Sequence, residues 1–294
     1  MYYIEVEKNV KVLVQDLNPC GKKTVFLVHG WPVSHKMFEY QLNVLPKYGF
    51  RCIAMDLRGF GGSDKPWDGY SYDRLSDDLY AVIKSLDVDN LILAGFSMGG
   101  PIVIRYMARH AGYRVSKLAL ISAAAPSFTR RPGYPYGMTK EEVNGLIMKA
   151  YKNRPQMVSD FGDMFFASRV TRPFVDWFQS IQMEASGHAT IKTAESLRDE
   201  DVGPDLSGIR VPTGIFHGMQ DRVCPFPFAL ILNANIKGSQ LYSFNCAGHG
   251  LFYDELEKFN CLFLQFLMGD ISQQFVENAS ENVSENASKS TSQK

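Results

Sequence analysis

Short runs of β-branched and large apolar residues alternate with amphipathic stretches along most of this chain. The first two runs, Tyr3 to Glu7 and Val10 to Gln15, interleave polar with apolar residues and predict an antiparallel edge. Thr24 to Val28, Phe50 to Met55, Leu91 to Ala94, Lys117 to Ser122, Val211 to Phe216 and Gln240 to Phe244 follow, several of them near-continuously apolar. That is the pattern of strands covered on both faces of a parallel sheet. Helical periodicity falls between them at His35 to Leu45, Tyr72 to Leu86, Met98 to His110, Pro225 to Leu232 and Tyr253 to Phe266. Strands alternating with helices predict a doubly wound, mostly parallel α/β sheet.

The alternation stops after Ser122 and resumes at Val211. Within the gap, Thr139-Lys-Glu-Glu142 is a capping box that opens a helix to about Asn153, and Arg154-Pro155 punctuates it. Further helical stretches are expected near Gln156 to Ala167 and Pro173 to Ser186. The organisation this predicts is a core of residues 1–122 and 209–270, a helical cap of residues 123–208 and a polar tail of residues 271–294. Aromatic and methionine residues of the cap, among them Tyr134, Met148, Phe161, Phe165 and Trp177, suffice to roof an apolar pocket, or to pack the cap's own core. The tail carries the near-repeat Glu277 to Ser288, which is of low complexity and expected to be disordered. Its N-x-S triplets at Asn278, Asn282 and Asn286 read as by-products of that repeat.

Composition narrows the classes further. The 294 residues are 45% hydrophobic, and 31 basic residues balance 31 acidic ones. A neutral chain without a long basic run offers nothing to a phosphate backbone, so no nucleic acid partner is expected. The first residues lack the basic and apolar regions of a secretory leader, and the longest uncharged apolar stretch, Leu91 to Ile104, is short and broken by glycines. A cytoplasmic protein with no membrane association is the expectation. The five cysteines (Cys20, Cys52, Cys224, Cys246 and Cys261) are odd in number and form no C-x-x-C pair, which disfavours a disulfide framework or a thiolate zinc site.

The sharpest chemical signal is Gly95-Phe96-Ser97-Met98-Gly99-Gly100, directly after an apolar strand and directly before a helix. A serine between glycines on so sharp a turn takes a strained conformation that lifts its hydroxyl into the open. That hydroxyl is a weak nucleophile and needs a base, which in turn needs a carboxylate to orient it. Asp221 follows the strand Val211 to Phe216, and His249 stands between Gly248 and Gly250 after the last strand. Both lie at the C-terminal ends of strands, where ligands bind in open α/β sheets. Asp201 and Asp205 are the other candidate acids, in the polar exit from the cap. The remaining histidines, His29, His35, His110, His188 and His217, read as structural. Donors to a developing oxyanion are expected from the backbone N–H of Met98 and, because Pro32 has none, from that of Trp31.

These pieces together resemble the α/β-hydrolase superfamily, and within it the cofactor-free bacterial haloperoxidase, perhydrolase and aryl-esterase branch. The resemblance rests on His29-Gly-Trp-Pro32, Asp56-Leu-Arg-Gly-Phe-Gly-Gly-Ser63, Lys65-Pro-Trp-Asp-Gly-Tyr70, Asp77-Asp-Leu79, Gly95 to Gly100, Arg105-Tyr-Met-Ala-Arg-His110, Leu120-Ile-Ser122 and Gly248-His-Gly250. It implies an α/β-hydrolase fold with Ser97, Asp221 and His249 as catalytic triad and Trp31 and Met98 as oxyanion donors. The chain departs from the pattern at Met219-Gln220, where members usually carry acidic or small residues. Relatives that open epoxides or cleave carbon–halogen bonds carry aspartate where this chain has Ser97, so those reactions are not expected. Gly59-Phe-Gly-Gly62 lacks the third glycine of a dinucleotide fingerprint, and neither a phosphate loop nor a metal-ligand spacing of histidines occurs, so no cofactor and no metal are implied.

The expected activity is hydrolysis of a small carboxylic ester with an apolar acyl or alcohol part, short acyl chains preferred. Trp31, Phe96, Phe128 and Val223 are the expected lining of its pocket. Two alternatives remain: perhydrolysis, in which hydrogen peroxide intercepts an acyl-enzyme to give a peracid, and a small-molecule receptor on a hydrolase scaffold.

Overall fold

A computed structural model describes residues 1–269 of the chain, so the tail expected at residues 271–294 lies outside the described residues. Among the described residues, eight strands form one sheet: β1 (Tyr2–Glu7), β2 (Val10–Leu17), β3 (Lys23–Val28), β4 (Phe50–Met55), β5 (Leu91–Phe96), β6 (Val115–Ile121), β7 (Thr213–Gly218) and β8 (Gln240–Phe244). Their order is β1-β2-β4-β3-β5-β6-β7-β8. β1 pairs antiparallel with β2, and β2 with β4, while all other neighbours are parallel. The chemistry of each strand matches its place: buried Val10, Val12 and Val14 alternate with more exposed positions in β2, whereas β5 is buried throughout. β3 has β4 on one side and β5 on the other, so the order reverses there, and a crevice opens above the ends of β3 and β5.

Nine α-helices accompany the described strands: α1 (Glu39–Leu42), α2 (Tyr72–Leu86), α3 (Gly99–Arg109), α4 (Lys140–Gly162), α5 (Arg172–Met183), α6 (Gly187–Asp199), α7 (Pro227–Asn235), α8 (Leu251–Asp254) and α9 (Leu256–Met268). The continuous helix expected over His35 to Leu45 is instead a 3₁₀ turn (His35–Phe38), the short α1 and a second 3₁₀ turn (Leu45–Tyr48). Pro46 explains the break, because its ring would collide with the carbonyl four residues back, at Leu42 where α1 ends. The helix predicted over Tyr253 to Phe266 is likewise split, into α8 and α9.

Between β6 and β7 the chain builds α4, α5 and α6. Thr139 and Glu142 close the expected capping box at the start of α4. The expected break after Asn153 is a kink, where Asn153 leaves helical geometry and its side-chain carbonyl accepts the Gln156 N–H at 3.2 Å. Helix α6, which the pattern did not predict, starts at the Ser186 cap and lies against α4.

Candidate active site

Ser97 sits between the last residue of β5 and the first turn of α3 with a φ of +52°. A non-glycine residue in that region is strained and persists only when its surroundings hold it. Here its N–H donates to the Ile121 carbonyl at 2.9 Å, and its own carbonyl accepts the N–H groups of Gly100 (2.9 Å) and Ala124 (3.0 Å). The neighbouring glycines are required by contact: a Cβ on Gly95 would lie 2.4 Å from the Gly99 carbonyl oxygen, and one on Gly99 would lie 2.4 Å from that of Val28.

The loops after β7 and β8 bring Asp221 and His249 to the serine. His249 Nδ1 is 2.8 Å from Asp221 Oδ2, and its Nε2 is 2.9 Å from Ser97 Oγ. An ionised carboxylate only accepts, so Nδ1 carries the proton and Nε2 faces the hydroxyl with its lone pair. Asp221 is held in turn, because Oδ1 accepts the N–H groups of Val223 and Cys224, both at 2.8 Å. The imidazole is fully buried, wedged between the rings of Phe96 and Phe165 at centroid distances of 4.9 and 4.8 Å. The Ser122 hydroxyl fixes the histidine's backbone by donating to its carbonyl at 3.0 Å.

His217, set aside as structural by its sequence position, packs beside the acid. Its Nε2 lies 2.7 Å from the Cys224 carbonyl oxygen and 3.4 Å from Asp221 Oδ2. Burial pushes its pKa down, and its Nε2 is directed to the Cys224 carbonyl, so the ring packs beside Asp221 without being its hydrogen-bond partner. The signal was present in the sequence as the four-residue spacing from His217 at the end of β7 to Asp221.

The other histidines are engaged elsewhere. His29 bonds to the Gly30 carbonyl (2.7 Å) and to the Leu57 N–H (3.0 Å), and His35 to Asp56 (2.7 Å). His110 stacks on Tyr80, and His188 lies over Trp67. Of the alternative acids, Asp201 caps the Gly203 N–H at 2.8 Å and Asp205 pairs with Arg105 at 3.1 Å.

The amides of Trp31 and Met98 flank the serine from the β3 loop and the start of α3. Among the described residues neither N–H donates to a protein acceptor. The Trp31 side chain ties its loop to the helices between β6 and β7: its indole N–H donates to the Thr190 carbonyl of α6 at 2.9 Å, and its ring meets Phe161 of α4 edge-on at 5.0 Å.

A small cavity of about 10 Å³ lies over Ser97, lined by Trp31, Phe128 and Val223 as expected, and by Val143 and Leu146 of α4 and Ala194 and Leu197 of α6. That is room for about one water molecule. Phe96, expected in this lining, does not contribute. Its ring is instead buried against His249 and Phe252.

Among the described residues no group of three or more His, Cys, Asp or Glu is placed to hold a metal ion, and no helix is long and apolar enough to cross a membrane.

A family model described as the alpha/beta hydrolase fold matches residues 23–147. The chain is 52% identical to the AB hydrolase superfamily protein YisY of Bacillus subtilis (strain 168), over 90% of this chain and 98% of that protein. It is 33% identical to the bifunctional esterase/perhydrolase DCH of Acinetobacter calcoaceticus, over 91% of this chain and 99% of that one. Among solved structures, an esterase (EaEST) from Exiguobacterium antarcticum superposes with a TM-score of 0.89 at 45% identity, covering 91% of this chain and 99% of the other.

Proposed function

We propose that this chain, which belongs to the α/β-hydrolase family, cleaves small carboxylic esters through an acyl-enzyme on Ser97. The observation that carries this reading is the continuous relay from Asp221 through His249 to Ser97, beneath a small apolar cavity. Ser97 Oγ attacks the ester carbonyl as His249 Nε2 takes its proton, and Asp221 stabilises the resulting imidazolium without itself becoming protonated. The carbonyl oxygen gains its charge facing the Trp31 and Met98 N–H groups, where loss of one donor typically costs about 3 kcal/mol. Collapse expels the alcohol, which leaves with the proton from Nε2. Water then attacks the acyl-enzyme by the same route in reverse, releasing the acid and restoring the serine.

Nitrophenyl esters of increasing acyl length test this reading. Multiple turnover is expected, greatest on short acyl chains, and Ser97→Ala should lower it by about 10⁴-fold or more. Turnover by S97A at the parent rate would overturn the assignment.

Similarity to the esterase/perhydrolase DCH favours a second activity of the same intermediate. Hydrogen peroxide in place of water would attack the acyl carbonyl and leave as the peracid, with Ser97 regaining its proton. Peracid formed from peroxide and a short carboxylic acid, above an enzyme-free control and absent with S97A, supports it, and none above that control refutes it.

A further inference from the structure

The loop that carries His249 is fastened to the cap by one carboxylate. Asp254 ends α8, one helical turn beyond the histidine, so its side chain swings back over the loop. Its Oδ2 accepts the N–H of Gly248 at 2.8 Å and that of Ala167 at 2.9 Å. Its Oδ1 accepts the N–H of Ser168 at 2.9 Å and the Ser168 hydroxyl as well. Four donors fill the acceptor capacity of a carboxylate. Two of them are backbone amides of the cap's turn between α4 and α5, and one is the amide of the residue immediately before His249. On the other side of the histidine, the Gly250 N–H donates to the Phe165 carbonyl of the same turn at 2.8 Å. The fit leaves no slack: a Cβ on Gly250 would lie 2.3 Å from the Phe166 ring, and one on Gly248 would lie 2.9 Å from the Ala167 nitrogen. Of the two neighbours of His249, Gly250 is bonded directly to Phe165, Gly248 is joined to Ala167 and Ser168 only through Asp254, and the Phe165 ring also supports the imidazole.

We propose that Asp254 is a positioning residue that locks the cap turn onto the His249 loop and so sets the distance from Nε2 to Ser97. This rests on the reading of Ser97 and His249 as nucleophile and base. Charge-assisted bonds to backbone amides are the strong kind, and a displacement of about 1 Å in a reacting group can cost about 10²-fold in rate. An asparagine keeps one acceptor oxygen but turns an NH₂ toward amide donors, breaking half of the clamp with little change of shape.

The test uses the full chain with Asp254→Asn, with Ser168→Ala as a milder variant that removes only the hydroxyl donor, and with the exposed Asp176→Asn as control. Two quantities are read: the rate at which a fluorophosphonate labels Ser97, which reports histidine-assisted attack without requiring ester turnover, and amide hydrogen exchange. D254N is expected to label about tenfold or more slowly, S168A to fall between it and the parent, and D176N to match the parent. Faster exchange should be confined to residues 165–168 and 248–250. On the ester panel the loss should fall on kcat more than on KM. Labelling of D254N within twofold of the parent, or faster exchange spread over the whole sheet, would overturn the proposal. Should the fluorophosphonate label the parent while no ester turns over, the ester reading fails and the clamp is still decided by these two readouts.

Discussion

Acidification should destabilise the fold through His29, at the end of the β3 strand. This imidazole is fully buried, with its single proton committed to the Gly30 carbonyl and its lone pair accepting the Leu57 N–H. A second proton would have to displace the Leu57 amide in a site without solvent, and burial accordingly pushes the His29 pKa down to about 4. In the unfolded chain the same ring titrates near 6.5. The unfolded state therefore binds more protons below that value, and the stability His29 confers is fully present above pH 6.5 and lost as pH falls toward 4. The span between the two values corresponds to about 3 kcal/mol. His217, also buried and shifted down, adds to the loss in the same direction. Ring-proton NMR of the folded protein tests this directly: the His29 signals should stay those of the neutral ring to pH 5, while urea midpoints decline from pH 6.5 downward. A His29 midpoint near 6.5 in the intact fold, or a stability flat between pH 6.5 and 4.5, would refute the reasoning. Activity should fall over the same pH range as the stability.

Three further outcomes concern space. Leu146→Ala clears a branched side chain from the cavity over Ser97 and should raise the kcat/KM ratio of longer to shorter acyl esters by about tenfold, while an unchanged profile would show that another wall sizes the pocket. Gly99→Ala sets a methyl group against the backbone oxygens of Val28 and His29 and should destabilise by about 2 to 3 kcal/mol, whereas Gly145→Ala, in open space within α4, should stabilise by about 0.5 to 1 kcal/mol; chemical denaturation of the two variants checks both signs.

The serine turn was legible because its requirements are local: a strand, a residue in the left-handed region and glycines where backbones touch all fall within six consecutive positions. Asp221 and His249 were legible through chain order and through their places after strand ends. Helix α6 was not. Its buried side includes Thr190 and Thr193, whose hydroxyls are satisfied by the carbonyls of Ser186 and Ala189 one turn back, so the pattern showed polar residues where the fold has an interior face. The contacts of Phe96 and Asp254 were equally hidden, the first because the pattern does not show that its ring packs on His249, the second because two of its amide partners lie about 86 positions away and backbone donors leave no mark on residue type.

The Trp31 indole bond to Thr190 and its contact with Phe161 bear on how such proteins can be recombined. The cap is contiguous in sequence and looks like a cassette, bounded by β6 and β7, that could be exchanged between relatives. Its two anchor points on the β3 loop belong to α4 and α6, whereas the tryptophan they hold is encoded far upstream of either boundary. A chimaera that imports a foreign segment between β6 and β7 keeps this chain's Trp31 without the Phe161 ring that packs on it and without α6 in the place that meets its indole, and the β3 loop is left unsupported. Productive exchange therefore requires the β3 loop and the cap to travel together.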